Sequence, residues 1–312
     1  MHEKWHGRLV RVLLNIENHG RPPVPQMIKP ALQDDAFLAD VAAAGTDLAW
    51  CHIWWLGQSG FLVKYKGGHL LIDPYLSDSL TRKYTGTDKP HVRMSERVID
   101  PGRLDFVNVV TSSHNHTDHL DADTLLPLIR ANPDLTLVIP EASRAFVGER
   151  LGVNPSVPIG LNDGRAFVVG GTDGINILAV PAAHNQIERD ERGHCRCLGY
   201  VVRANAGTWT IYHSGDTLWD DQIIRDLCDL KTGIDVALLP INGDRPERRV
   251  AGNLGGREAA QFAKAIGAAV AVPCHYDMFE FNTAAPDEFV AECDRIGQAY
   301  RVLRQGEGMR VP

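Results

Sequence analysis

Long apolar runs are missing from this 312-residue chain, and that excludes a membrane-spanning helix as its organising element. Basic blocks are missing as well. The 32 Lys and Arg stand against 39 Asp and Glu, and a formal net charge of -7 leaves no electrostatic footprint for nucleic acid. Cysteine is sparse: Cys51, Cys195, Cys197, Cys228, Cys274 and Cys293 lie without a framework spacing, so free thiols in a reducing compartment are expected. The opening "MHEKWHGRLVRVLLNIENHG" lacks the uninterrupted apolar stretch and small-residue cleavage site of a signal peptide, which makes the cytoplasm the expected location. With 44% hydrophobic and 23% charged residues, what remains is a globular chain with a sizeable core.

Two stretches are expected, an N-terminal helical extension over residues 1–50 packed on a main domain at 51–312. In the first, "DDAFLADVAAAG" has an acidic start, helical apolar spacing and Gly45 as a C-cap, after a rigid "RPPVP" turn. From Cys51 the pattern becomes "CHIWWLG", "GFLVKYKG" and "HLLIDPYL", short β-like runs parted by glycine turns. "FVNVVTSS" and "LTLVIP" read as buried strands, each followed by a helix ("ADTLLPLIRAN", "EASRAFVGERLG"). The order then repeats in outline. "INILAVPAA", "LGYVVRA", "TWTIYHSGD", "DVALLPIN" and "AAVAVPCHYD" are strands, "DDQIIRDLCDL", "GREAAQFAKAIG" and "PDEFVAECDRIG" are helices, and "YRVLRQG" is a closing strand. Two sheets face to face with helices outside, an α+β four-layer sandwich, fit this order.

Directly after "FVNVVT" comes "SSHNHTDHLD". Residues two apart on an extended chain share a side, so His114 and His116 present their imidazoles together there. If a helix starts at once, Asp118 and His119 fall on its first turn beside that pair. Imidazole and carboxylate suit zinc, manganese or iron, and two neighbouring ions are expected. One turn cannot enclose a metal. Further ligands are expected at other strand ends, and His184, Asp216 and His275 each follow an apolar run and open a loop. Asp73, in "LLIDPYL", is a candidate to hold a ligand imidazole by its second nitrogen, with a turn role before Pro74 as its alternative. The thiols of "HCRC" lack the paired spacing of a structural zinc site.

"HNHTDH", a later His, "SGD" and a last His together resemble the metallo-β-lactamase superfamily. "WWLGQSGFLVKYKGGHLLIDP", "HNHTDHLD", "YHSGDT", "IDVALLPINGD" and "CHYDMFEFNT" look like its L-ascorbate-6-phosphate lactonase-like branch, over residues 50 to 305. The resemblance implies an αββα sandwich with the site at one edge between the sheets. It implies His114, His116 and His184 on one ion, Asp118, His119 and His275 on the other, and Asp216 bridging. Two divalent ions per chain, zinc or manganese, are the expected cofactor, with Asp118 and Asp216 as catalytic residues.

The expected reaction is hydrolysis of a lactone of a small anionic sugar acid. Substrate contacts are expected from Asn242 and Asn253 by the resemblance, from Tyr276 beside His275, and from Arg245 among the loop cations. Arg82, Lys83, Lys89, Arg93 and Arg97 lie in the loop "SDSLTRKYTGTDKPHVRMSERVID", and Arg248 and Arg249 lie with Arg245 in "NGDRPERRVAGNLGG". A phosphodiesterase resembling the N-acyl-phosphatidylethanolamine phospholipase D group is the alternative, but "GRLVRVLLNI" is too short and mixed for a lipid-facing helix. A flavodiiron-like redox protein is set lower, because Asn115 stands where those carry an acidic ligand. A small-molecule substrate, no nucleic acid, no membrane and a homo-oligomer complete the expectation.

Overall fold

The computed structural model describes residues 27–170, 174–204 and 207–311. The "RPPVP" turn and "GRLVRVLLNI" lie outside the described residues. The one described helix ahead of the sheets, α1 (Asp34–Ala44), ends at Gly45, which keeps right-handed backbone at φ -60°.

Strand-forming runs with apolar residues at nearly every position make two sheets. The first holds β1 (Cys51–Gly57), β2 (Gly60–Tyr65), β3 (Gly68–Ile72), β4 (Val109–Thr111), β5 (Thr136–Pro140) and β6 (Ile159–Leu161). The second holds β7 (Ala166–Val169), β8 (Ile175–Pro181), β9 (Leu198–Ala204), β10 (Thr210–His213), β11 (Val236–Pro240) and β12 (Val270–Cys274), and β13 (Gly308–Arg310) returns to the first. Their orders are β13-β1-β2-β3-β4-β5-β6 and β12-β11-β10-β9-β8-β7. Each sheet is antiparallel where hairpins link its strands and parallel where long crossovers do. Thus β3-β4-β5-β6 and β10-β11-β12 are parallel; the long loop over 73–108 joins β3 to β4, and α3 (Ala122–Ala131), α4 (Arg144–Leu151), α5 (Asp221–Cys228) and α6 (Gly256–Ala265) bridge the other pairs. A short α2 (Ser79–Lys83) sits in the loop after β3, and α7 (Asp287–Ile296) follows β12.

Alternation explains why neighbours such as Trp54 and Trp55 are both fully buried. Ile53, Trp55, Phe61, Val63 and Ile72 point inward to Ile177, Tyr200, Val202 and Leu238 of the opposite sheet. Trp54, Leu56, Leu62, Leu71 and Val110 point outward beneath Phe37 and Val41 of α1 and Leu125 and Leu128 of α3. Both faces are covered, as the apolar runs require.

The closing strand differs from expectation. Tyr300 makes only an isolated bridge to Ala271, and the strand forms later, at β13. Gly306, at φ +77° with its N–H donating to Trp55 O, turns the chain first and sends Gly308–Arg310 along β1. No described helix is long and apolar enough to cross a membrane.

Candidate metal centre

The parallel strands β4, β10, β11 and β12 end at one edge between the sheets, and the chemistry-bearing loops start there. The helix after the histidine motif does not begin at once. His119 and Leu120 donate backbone N–H to His116 O, forming one isolated turn, and α3 starts only at Ala122. Asp121 is the reason: its carboxylate caps Asp123 N and accepts from Thr124 Oγ1 at 2.6 Å, so it ends the turn and opens the helix. Asp118 and His119 therefore sit in a loop ahead of α3, not on its first turn.

The loop brings the four side chains together, and three other strand ends supply the rest. His114 and His116 ring centres are 4.6 Å apart, and His184, beyond β8, lies 5.0 Å from the His114 ring. His184 Nε2 is 3.2 Å from His116 Nδ1, while its own Nδ1 lies 2.9 Å from Gly252 O, which sets the ring's direction. Asp118 Oδ2 lies 3.7 Å from His119 Nε2 and 3.5 Å from His275 Nε2. Asp216 stands between the groups. Its Oδ1 is 3.3 Å from His119 Nε2, and its Oδ2 is 3.5 Å from His275 Nε2 and 3.8 Å from His184 Nε2. Potential ligand atoms of His114, His116 and His184 lie within 4.8 Å of one another, as do those of Asp118, His119 and His275, and those of His114, His119 and Asp216.

These donors fit divalent cations on two grounds. His114 Nε2 is buried without a hydrogen-bond partner, an arrangement a folded protein tolerates where something else binds it, and His119 Nε2 faces only the Asp216 and Asp118 carboxylates. The charge balance agrees. Burial, then the neighbouring imidazoles, push His114 well below the ordinary histidine range, and burial with His184 takes His116 down to about 4. Both shifts favour the neutral ring, the form a metal needs. Burial opposes charge on Asp118 and Asp216, but His119 and then His275 outweigh it and hold both carboxyls well below the carboxylate range. Despite its burial, His119 is raised by Asp216 and Asp118, and His275 rises to about 9, chiefly through Asp216. Both shifts trace to the negative charge of two carboxylates packed against imidazoles, charge that cations would balance.

The structure places Asp73 against a candidate ligand imidazole, at a backbone turn. It is fully buried at φ +44°, accepts Ser113 N at 2.7 Å, and its Oδ2 is 2.6 Å from His119 Nδ1. Gln58 went unnoticed in the sequence. Buried in the β1–β2 turn at φ +47°, it donates from Nε2 to Asp118 Oδ2 at 3.0 Å, and its carbonyl accepts His275 N at 2.9 Å. A glutamine between two glycine-bounded strands carries no metal signal, so only the fold reveals it. His213 is a neighbour, its Nε2 lying 2.9 Å from Ser59 O.

A cavity of about 390 Å³ opens over His116, Asp118, His184 and Asp216. Its rim includes Lys83, Lys89, His91 and Arg150. The expected substrate contacts need correction. Tyr276 is buried against Trp55, its hydroxyl donating to Leu303 O, so it packs beneath the site. Arg245 is exposed and does not line the cavity. Asn242 and Asn253 are buried one layer behind it: Asn253 Nδ2 donates to Asn242 Oδ1 at 3.0 Å, and Asn242 Nδ2 to Asn282 Oδ1 at 2.9 Å. Arg82, Arg93 and Arg97 are engaged with Asp123, Asp78 and Asp100. Arg150, in the last turn of α4 and outside every sequence motif, donates through Nη1 to Asn115 O and Leu120 O and so clasps both ends of the histidine loop.

The description "Beta-lactamase superfamily domain" matches residues 69–276. The chain belongs to the metallo-β-lactamase superfamily. It stands among the UPF0173 metal-dependent hydrolases, being 30% identical to one from Methanopyrus kandleri over 80% of this chain and 95% of the relative. A second, from Pyrobaculum aerophilum, is 29% identical over 82% of this chain and 98% of its own. Among solved structures, a novel metallo hydrolase from Ignicoccus hospitalis aligns with TM-score 0.60 at 24% identity, covering 84% of this chain and 98% of the other. An isothiocyanate hydrolase from Delia radicum gut bacteria aligns with TM-score 0.63 at 20% identity, covering 83% and 98%. These last two likenesses establish the superfamily fold, in agreement with the two packed sheets.

Proposed function

We propose that this superfamily member opens a lactone of a small anionic sugar acid, with His114, His116 and His184 at one metal position, Asp118, His119 and His275 at the other, and Asp216 between them. The observation that carries the reading is the seven-residue cluster, with a buried, unpartnered His114 Nε2, under a cation-rimmed cavity. When bound, two divalent ions, zinc or manganese, supply a water of lowered pKa and a Lewis acid for the scissile carbonyl.

The chain's own groups do the rest. Gln58 and His275 constrain Asp118 at Oδ2, which leaves Oδ1 to orient the attacking water and take its proton. Asp73 holds the His119 ring. Water oxygen bonds to the lactone carbonyl carbon, the ring C–O bond breaks, and the departing alkoxide receives a proton, giving a hydroxy acid. Lys83, Lys89 and Arg150 favour an anionic group at the rim; the carboxylates lining the cavity, Asp118 and Asp216, belong to the metal cluster.

Hydrolysis of L-ascorbate 6-phosphate by metal-reconstituted protein, followed by proton release, tests this. Turnover abolished in Asp216→Ala is expected. No turnover by wild-type protein holding two ions rejects the lactone and moves the search to phosphodiesters.

A further inference from the structure

Asn282 lines the cavity with His116, Asp118, His184 and Asp216. An amide side chain can present either its oxygen or its nitrogen, and the protein decides which. Arg248 Nη1 lies 2.9 Å from one terminal atom of Asn282. A guanidinium only donates, so that atom is the oxygen and the amide cannot be reversed. Asn242 Nδ2 donates to the same oxygen at 2.9 Å. With both donors on Oδ1, the Nδ2 hydrogens are left without a partner among the described residues.

The lock is built in depth. Arg248 is buried, and its Nη1 and Nη2 also donate to Asn242 O at 2.7 Å and Thr283 O at 3.0 Å, pinning the chain on both sides of the amide. Asn253 fixes Asn242 in turn. Gly252, the next residue back, accepts the His184 ring, so one loop orients a candidate ligand and the Asn282 amide together. We infer that Asn282 is a substrate-contacting residue, its Nδ2 hydrogens held toward the cavity by Arg248 and Asn242 to bind an acceptor oxygen of a carboxylate or phosphate ligand. The inference deepens the hydrolase reading, on which it rests for taking this cavity as the substrate site. It gives Asn242, Asn253 and Arg248 positioning roles.

Inorganic phosphate is the probe, titrated calorimetrically into the metal-loaded full chain and followed by measurement of metal content. Loss of a hydrogen bond to a charged ligand predicts roughly tenfold weaker binding in Asn282→Ala. Asn282→Asp keeps the oxygen that Arg248 and Asn242 bond, so it retains fold and metal, yet it replaces the donor by a negative oxygen. Binding is expected to fall further there. Unchanged affinity in either variant with metal retained, or no phosphate binding by the wild type, overturns the inference. Phosphate binding weakened in both variants, together with no turnover of L-ascorbate 6-phosphate, rejects the lactone while supporting the role of Asn282.

Discussion

Asp73 illustrates how much of this site is set by single residues outside the donor cluster. Its two oxygens serve Ser113 N and the His119 ring, so removing it leaves buried donors unpaired and the ring free to turn. Asp73→Ala is expected to weaken metal retention by about 10- to 100-fold, measured by competition with a chromogenic chelator; retention equal to wild type contradicts the orienting role. Gly215 makes a second case. At φ +60°, a Cβ there would stand 2.8 Å from both Leu198 O and Ser113 Cβ. Gly215→Ala is expected to cost about 1–3 kcal/mol, read from urea denaturation, because the backbone conformation and the contact both oppose it. The clustered side chains were legible at this scale, four because histidine and aspartate crowd after a buried strand and His184, Asp216 and His275 because each follows an apolar run. Gln58, Arg150 and Asn282 were not, since their work depends on which loop they meet.

At the scale of elements, the hairpins and the strand–helix pairs were readable from period and turn chemistry. Exceptions have physical causes. β6 and β7 are only three and four residues long, and the apolar residues of β7 lie exposed or half-buried at the sheet edge, so neither run is long enough to stand out. α3 starts later than the motif suggested because Asp121 caps it. Asp121 is buried and also accepts Thr124 Oγ1, which in turn accepts Leu76 N at 2.8 Å, tying the helix start to the loop after β3. Asp121→Ala is expected to destabilise the fold by about 1–2 kcal/mol. Urea denaturation monitored by far-ultraviolet circular dichroism measures it, and an unchanged midpoint and slope counts against the cap. Lys64 acts between elements. Its buried ammonium donates to Ala44 O and to Asp47 O at 3.0 Å, holding the end of α1 to β2.

For the whole molecule, a largely buried cluster of five imidazoles and two carboxylates makes stability depend on ions. Metal that binds only the folded state at about 100 times its dissociation constant adds about 2.7 kcal/mol. Stripping it with a chelator is therefore expected to lower the thermal midpoint by on the order of 5 °C or more, reversibly on adding zinc or manganese. A midpoint insensitive to chelation, in protein shown to have lost its ions, speaks against the cluster as a metal centre. By itself the amino-acid order determined the two-sheet architecture and the residue types offered at strand ends, because apolar periodicity and turn chemistry are local properties. Only the tertiary structure decided which polar side chains reach the cavity. Asn242, Asn253 and Tyr276 lie behind it while Asn282 and Arg150 line it, and that distinction arises from contacts between segments tens of residues apart, where no local pattern records the outcome.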